Sequence, residues 1–430
     1  MYRALATTDA FVKAGWDVTV VTCDERFLDE EIGSTDPSLL DAIPSGVDVV
    51  RVPFSFGRPR RRLADLGWFG ANFPELDVRA RAALRPARNV VDVLRGRTAQ
   101  SYALADNYAA WIEPVVRVGR SIVRDRGGAV LATGNPFASF EAARIISGLS
   151  GCPFVVDFRD PWTVDVFSGD RAALPEQTLR VEHGVVAEAT ACVHVNEPIA
   201  EAYRNLHPDH ARKQRVVLNG FDEDSIGPVR EPNSEGPLRF GMLGTVNDRW
   251  PLDVIFGAWA QMRPYLPEDS RLVLGGHLGY FARSELPLRD LLPDESMGFE
   301  YTGPVPKDRV ADFYAGLDIV LVPAPGGPMV TSGKVYEAAA LGVPVVCIQE
   351  AGGGARSVLD GHPMARGAEP DVDDVADALR WAAATARARS RADSEGVRRW
   401  AARFERTRAI EPLVELLRDA VAGENVRVWS

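Results

Sequence analysis

Residues 319–346 set the tightest limit on what this chain folds into. Ile319, Val320, Leu321 and Val322 are apolar and largely β-branched and end at Pro323, while Tyr336 to Leu341 is good helix-forming sequence that stops at Gly342. Strand, loop and helix in that order belong to an α/β sheet, whose ligands bind at the carboxyl ends of the strands. The loop closes with Ser332 and Gly333, a turn of little bulk, and Lys334 follows at the helix start. Free N–H groups at a helix start attract an anion, and Lys334 adds a full charge. Glu337, one turn in, suits hydroxyls such as those of a ribose and not a phosphate, so the pair fits a nucleoside diphosphate. Taken alone, the same residues also read as a surface lysine and a glutamate at the favourable end of a helix.

The rest of the composition narrows the class. At 430 residues the chain exceeds one ordinary core, and two domains of roughly 200 residues each are expected. A net charge of −11 argues against a general nucleic-acid binder, which needs a basic footprint on phosphates. Cys23, Cys152, Cys192 and Cys347 are scattered singly beside apolar runs, a reduced pattern without metal spacing. Apolar runs stay shorter than about 18 residues and the opening is not a basic-then-apolar leader, so a cytoplasmic protein is expected.

Taken in order, the chain alternates helices and strands. Residues 2–14 read as an amphipathic helix ended by Gly15, 17–22 as a strand and 46–54 as a further strand. Arg58, Arg60, Arg61 and Arg62 then precede Trp68, Phe69 and Phe73. This cluster over 58–73 suits either peripheral membrane contact or a helical hairpin whose arginines are solvated or bind an anionic acceptor. Helices are expected over 107–124, 137–149 and 182–191, the second opened by Asn135-Pro136. The strand 153–158 runs into Arg159-Asp160-Pro161-Trp162, a charged pair at a strand end where a cleft belongs, although the two side chains also suit a helix cap or a mutual ion pair. His194 sits within an apolar strand as a core histidine, and Asn196-Glu197-Pro198 starts the next helix. A linker rich in acidic residues, Pro and Gly covers 223–237. Beyond it, a strand ends at Gly244 and leads through Thr245 to Arg249, the usual approach to a diphosphate, and the junctions at Gly276 and Gly303 are expected to hold a nucleotide base. The run Ala351-Gly352-Gly353-Gly354-Ala355 looks phosphate-friendly but follows no nucleotide-binding pattern. The last helix, over 407–421, carries Ile410, Leu413, Val414 and Leu417 on one face.

These motifs in this order resemble the retaining glycosyltransferases of family 4, in particular the Ser-Gly-Lys subgroup. The likeness rests on Arg159-Asp160-Pro161-Trp162, Asn219-Gly220-Phe221-Asp222, the Gly244 loop, Ser332-Gly333-Lys334 with Glu337, and Leu341-Gly342-Val343-Pro344. It implies the GT-B fold, two Rossmann-like domains facing a central cleft. The expected division is an acceptor-binding domain over 1–222, a linker over 223–237, a nucleotide-sugar domain over 238–405 and a C-terminal helix over 406–430 that crosses back to the first domain. Many members carry a glutamate eight positions before Glu337, where this chain has Met329, so the work of that carboxylate falls to backbone amides near Gly326 and Gly327 or is absent. Members also place a strand and a glycine-rich loop ahead of the helix that opens this chain. Here both are expected to be missing.

The resemblance further implies sugar transfer from a nucleotide diphosphate sugar, with retention and without a metal or other cofactor. Lys334, Arg249, Asp160 and Arg159 would be the catalytic set. Gly244, Thr245, Ser332, Gly333, Lys334, Glu337, Gly276 and Gly303 would bind the donor, and Trp162 and Asn135 would lie on the acceptor side. The acceptor would be a sugar, a lipid-linked group or a small molecule, with the protein cytoplasmic or peripheral at the inner membrane face. Two other readings use the same fold: a nucleotide-sugar epimerase or phosphorylase, and a nucleotide-sugar-binding protein without catalysis.

Overall fold

The structure, a computed structural model, describes residues 2–29, 40–55, 108–247, 249–279, 288–324, 327 and 329–423. The basic and aromatic cluster over 58–73 and Gly326 lie outside the described residues.

Among the described residues all the strand ladders are parallel. In the first half, β1 (Thr19–Cys23) pairs with β2 (Asp48–Val52), and β3 (Val130–Thr133), β4 (Phe154–Phe158), β5 (Ala191–His194) and β6 (Gln214–Val216) form a four-stranded sheet in that order. Among the described residues no ladder joins β1 to β3. Side chains link the two pieces instead. Arg126, at the end of helix α2 (Ile112–Arg126), reaches Asp17, Thr19 and Asp48 at 2.7–3.3 Å. Val21 and Cys23 pack beside Phe154 and Val156 in one apolar cluster.

In the second half, six strands run in the order β12 (Ala365–Ala368), β11 (Val345–Ile348), β10 (Ile319–Pro323), β7 (Arg239–Leu243), β8 (Arg271–Gly275) and β9 (Phe299–Gly303). Strands β10 and β11 are buried at every position, as unbroken apolar runs must be when helices cover both faces. One face packs against α6 (Leu252–Met262) and α10 (Val372–Ala388), the other against the helix that follows the 327–333 loop. The architecture is α/β with two parallel-sheet domains.

The final helix, α12 (Arg406–Ala422), lies on the first domain, where Ile410, Leu413 and Leu417 share a cluster with Val155, Val193 and Phe11 of α1 (Tyr2–Lys13). The chain therefore passes between domains twice, and the two passages are bonded to each other. Phe221 N–H donates to the Phe404 carbonyl at 2.9 Å, and Arg406 N–H donates to the Phe221 carbonyl at 2.8 Å. Gly220 fits there because its φ is +66° and a Cβ would stand 2.6 Å from the Phe404 oxygen.

Helix α1 is also fixed from its first turn. The Arg3 guanidinium donates twice to the Asp157 carboxylate at the end of β4, both at 2.9 Å, and once to the Leu218 carbonyl at 2.9 Å. Both side chains are 4% exposed, so each charge depends on the other for its loss of water. Arg3→Ala should cost about 3–5 kcal/mol by leaving a buried carboxylate unpaired. Urea unfolding would measure it, and a loss below about 1 kcal/mol, the size of an exposed pair, would contradict this account.

Candidate functional site

The site is built where β7 and β10 end side by side. A cavity of about 310 Å³ opens there, lined by Gly244, Thr245, Trp250, Tyr314, Ser332 and Lys334 among others. Lys334, the first residue of helix α8 (Lys334–Ala340), lines it on one side. Ser332 Oγ accepts from the Lys334 N–H at 3.3 Å, which ties the turn to the helix start.

Lys334 and Glu337 face each other across one helical turn. Lys334 Nζ lies 2.8 Å and 3.1 Å from the two carboxylate oxygens, and Tyr314 Oη donates to Glu337 Oε2 at 2.8 Å. Tyr314 belongs to helix α7 (Val310–Ala315) and is buried. Burial first, and then the adjacent carboxylate, hold its hydroxyl well above the ordinary tyrosine value, so it stays a donor. An ammonium has three N–H groups, and Glu337 Oε1 keeps an unused lone pair, so each partner retains capacity for a ligand. In the sequence Tyr314 looks like one more residue of the apolar face formed with Val310, Phe313 and Leu317. Its only distinguishing signal was a polar tip on a buried position.

The other expected donor residues do not all meet here. Gly244, Thr245, Ser332 and Lys334 line the cavity, whereas Gly276, Gly303, Gly333 and Glu337 do not, although Glu337 is bonded to the lining residues Lys334 and Tyr314. Gly276 is glycine for packing, since its φ is +124° and a Cβ would lie 1.8 Å from the Gly244 carbonyl oxygen, where the ends of β7 and β8 touch. Gly303 accepts the Gly276 N–H at 2.8 Å, one strand further out. Arg249 lines a neighbouring cavity of about 270 Å³ together with Ala324, Gln349 and Glu350. Its guanidinium lies over the ring of Phe167, 3.7 Å from the centroid, and Phe167 comes from the first domain.

Arg159 and Asp160 follow β4, and Asp160 is exposed. The two side chains neither pair with each other nor cap a helix among the described residues, which corrects both structural alternatives. Trp162 is 6% exposed and stacks on Phe137 at 5.1 Å between centroids. It is mainly core and less a wall than its motif suggested. Asn135 is exposed at the end of β3. His194 is fully buried, bonded to Gln214 at 2.8 Å, and burial pushes its imidazole down to about 4.

The glycine run is also explained by contact. A Cβ on Gly353 would lie 2.2 Å from the Gln349 side chain, and one on Gly354 would lie 2.3 Å from Thr331 Oγ1. These two glycines make room for Gln349 and for the backbone and side chain of residues 330–331. Met329, at the position of the absent glutamate, is 7% exposed and packs into the core cluster of the first domain. An apolar side chain suits that burial. Among the described residues no group of three or more His, Cys, Asp or Glu is placed to hold a metal, and no helix is long and apolar enough to cross a membrane.

Comparison with known proteins agrees with this architecture. Residues 237–384 match the family model of glycosyl transferases group 1. No curated protein matches the chain by sequence. A solved glycosyltransferase from Rickettsia africae ESF-5 is similar with a TM-score of 0.67 at 10% identity, over 98% of this chain and 94% of that one. Anabaena Alr3699/HepE, solved in complex with UDP, is similar with a TM-score of 0.61 at 14% identity, over 94% and 100%. A UDP-forming α,α-trehalose-phosphate synthase from Burkholderia vietnamiensis gives 0.57 at 13% identity, over 95% and 99%. The chain has the GT-B fold, and its residues 237–384 are similar to the glycosyl transferases group 1 family.

Proposed function

We propose that the chain is a retaining glycosyltransferase that moves a sugar from a nucleoside diphosphate sugar, with UDP as the nucleotide, to a hydroxyl of a sugar, lipid-linked or small-molecule acceptor. The observation that supports it is the Lys334–Glu337–Tyr314 group at the mouth of the cavity between β7 and β10. It offers one cation at the start of a helix, and one carboxylate with unused acceptor capacity. Those are the complements of a diphosphate and a ribose.

In the transfer the bond from the sugar's anomeric carbon to the diphosphate breaks, and a bond from the acceptor oxygen to the same face forms. The acceptor proton leaves with the diphosphate. Negative charge grows on the departing phosphate, and Lys334 with the Ser332–Gly333 turn meets it, which is where a preorganised site lowers a barrier most. This gives to a side-chain ammonium the work that a divalent ion does elsewhere. Glu337, braced by Tyr314, takes the ribose hydroxyls. Arg249 lies one cavity away, towards the outer phosphate and sugar. Arg159 and Asp160, at the open end of β4, face the acceptor, with Asn135 nearby at the end of β3. The UDP assignment follows the ligand of HepE and the UDP-forming synthase, both similar in fold. The reaction takes place on the cytoplasmic side, with residues 58–73 as the candidate contact for a membrane-held acceptor.

UDP should raise the melting temperature of the chain, because a ligand that binds only the native state stabilises it. Lys334→Ala should weaken UDP binding about tenfold or more, the scale of a lost charge-assisted bond to phosphate. Titration calorimetry checks both statements together with the melting curve. Equal affinity in wild type and Lys334→Ala would remove the lysine from its role.

A further inference from the structure

The loop from β10 to α8 carries Ser332 and Lys334, yet its backbone is bonded largely from outside. On the side of its own domain, Gln349 Nε2 donates to the Val330 carbonyl at 3.1 Å. On the other side, Asn196 of the first domain donates from Nδ2 to the Met329 carbonyl at 2.7 Å and to Thr331 Oγ1 at 2.8 Å. Its Oδ1 accepts the Ile199 N–H at 2.9 Å and so caps helix α5 (Glu197–Leu206). Asn196 is 3% exposed, and both donors and its acceptor are used.

Two further contacts press the same loop against the first domain. Met329 packs into that domain's core, and Gly327, with φ +101°, would put a Cβ 2.5 Å from the Phe167 backbone. Gly354 stands close behind, where a Cβ would lie 3.3 Å from Asn196 Nδ2.

We propose that Asn196 is a positioning residue for the nucleotide site of the opposite domain. Its carboxamide ties the 329–331 backbone to α5, so that Ser332 and Lys334 are held in place through a contact between domains. The proposal rests on the nucleotide reading of the cavity. It makes the site in one domain depend on the register of the other.

The chemistry of the side chain supplies a selective test. Aspartate caps a helix as well as asparagine does, so Asn196→Asp keeps the bond to Ile199. It replaces two donors by acceptor oxygen facing the Met329 carbonyl. Asn196→Ala removes both the cap and the tie. Hydrogen–deuterium exchange on the ligand-free full chain, followed by UDP titration, separates the roles. In Asn196→Asp, amides over 329–336 should exchange about tenfold faster or more while those over 197–206 are unchanged, and UDP should bind about tenfold more weakly. Unchanged exchange over 329–336 in Asn196→Asp, with 197–206 loosened only in Asn196→Ala, would make Asn196 a helix cap alone and overturn the proposal. A loosened loop with unaltered UDP affinity would overturn it as well. A loosened loop in a chain whose wild type binds no UDP would support the tie and remove the nucleotide reading instead.

Discussion

The segment that joins β10 to α8 must present a turn and a lysine to a cavity, and the Met329 and Val330 carbonyls within it accept from side chains. Carbonyl groups without a ladder partner still require donors when buried. Here the donors come from the side-chain amides of Gln349 and Asn196, one in each domain. Much of the neighbouring sequence follows from that requirement. Gly353 and Gly354 are small because the loop and Gln349 occupy the space of their side chains, and Met329 is apolar because it enters the opposite core.

The same economy governs how the two domains are joined. Their passages cross at Phe221 and Phe404, with a short backbone pairing and an Arg406–Asp222 ion pair at 2.7 Å. The segment after the crossing is fixed to the second domain. Arg389, itself 5% exposed, donates to the carbonyls of Arg230 and Glu231, and Arg398 donates to that of Gly227. A residue span without helix or strand is thus held by guanidinium groups, which offer several donors in one fixed plane.

The fold was legible because buried parallel strands announce themselves. Runs such as those of β10 and β11 are apolar at successive positions, and helix ends carry glycine. Helix boundaries were less exact: α4 runs over Glu176–Glu188, whereas the sequence suggested 182–191, because a buried face set by Thr178, Glu182, Val185 and Val186 extends it backwards. In the site, Lys334, Ser332 and Glu337 were readable from a short motif that brings them within one turn. Tyr314, Asn196, Gln349 and Phe167 were not, since their roles arise from contacts between residues far apart in the chain. Gly276 illustrates the opposite error. A glycine after a strand looks like a ligand approach, and in the structure it is a close passage of two backbones.

The central claim is that Lys334 and Glu337 divide a bound nucleotide between them, diphosphate to one and ribose to the other. A crystal structure of the chain with UDP tests it most directly. The account predicts phosphate oxygens within about 3 Å of Lys334 Nζ and ribose hydroxyls within about 3 Å of the Glu337 carboxylate, both ordinary hydrogen-bond distances. UDP bound in a cavity that leaves the Lys334–Glu337 pair untouched would contradict it.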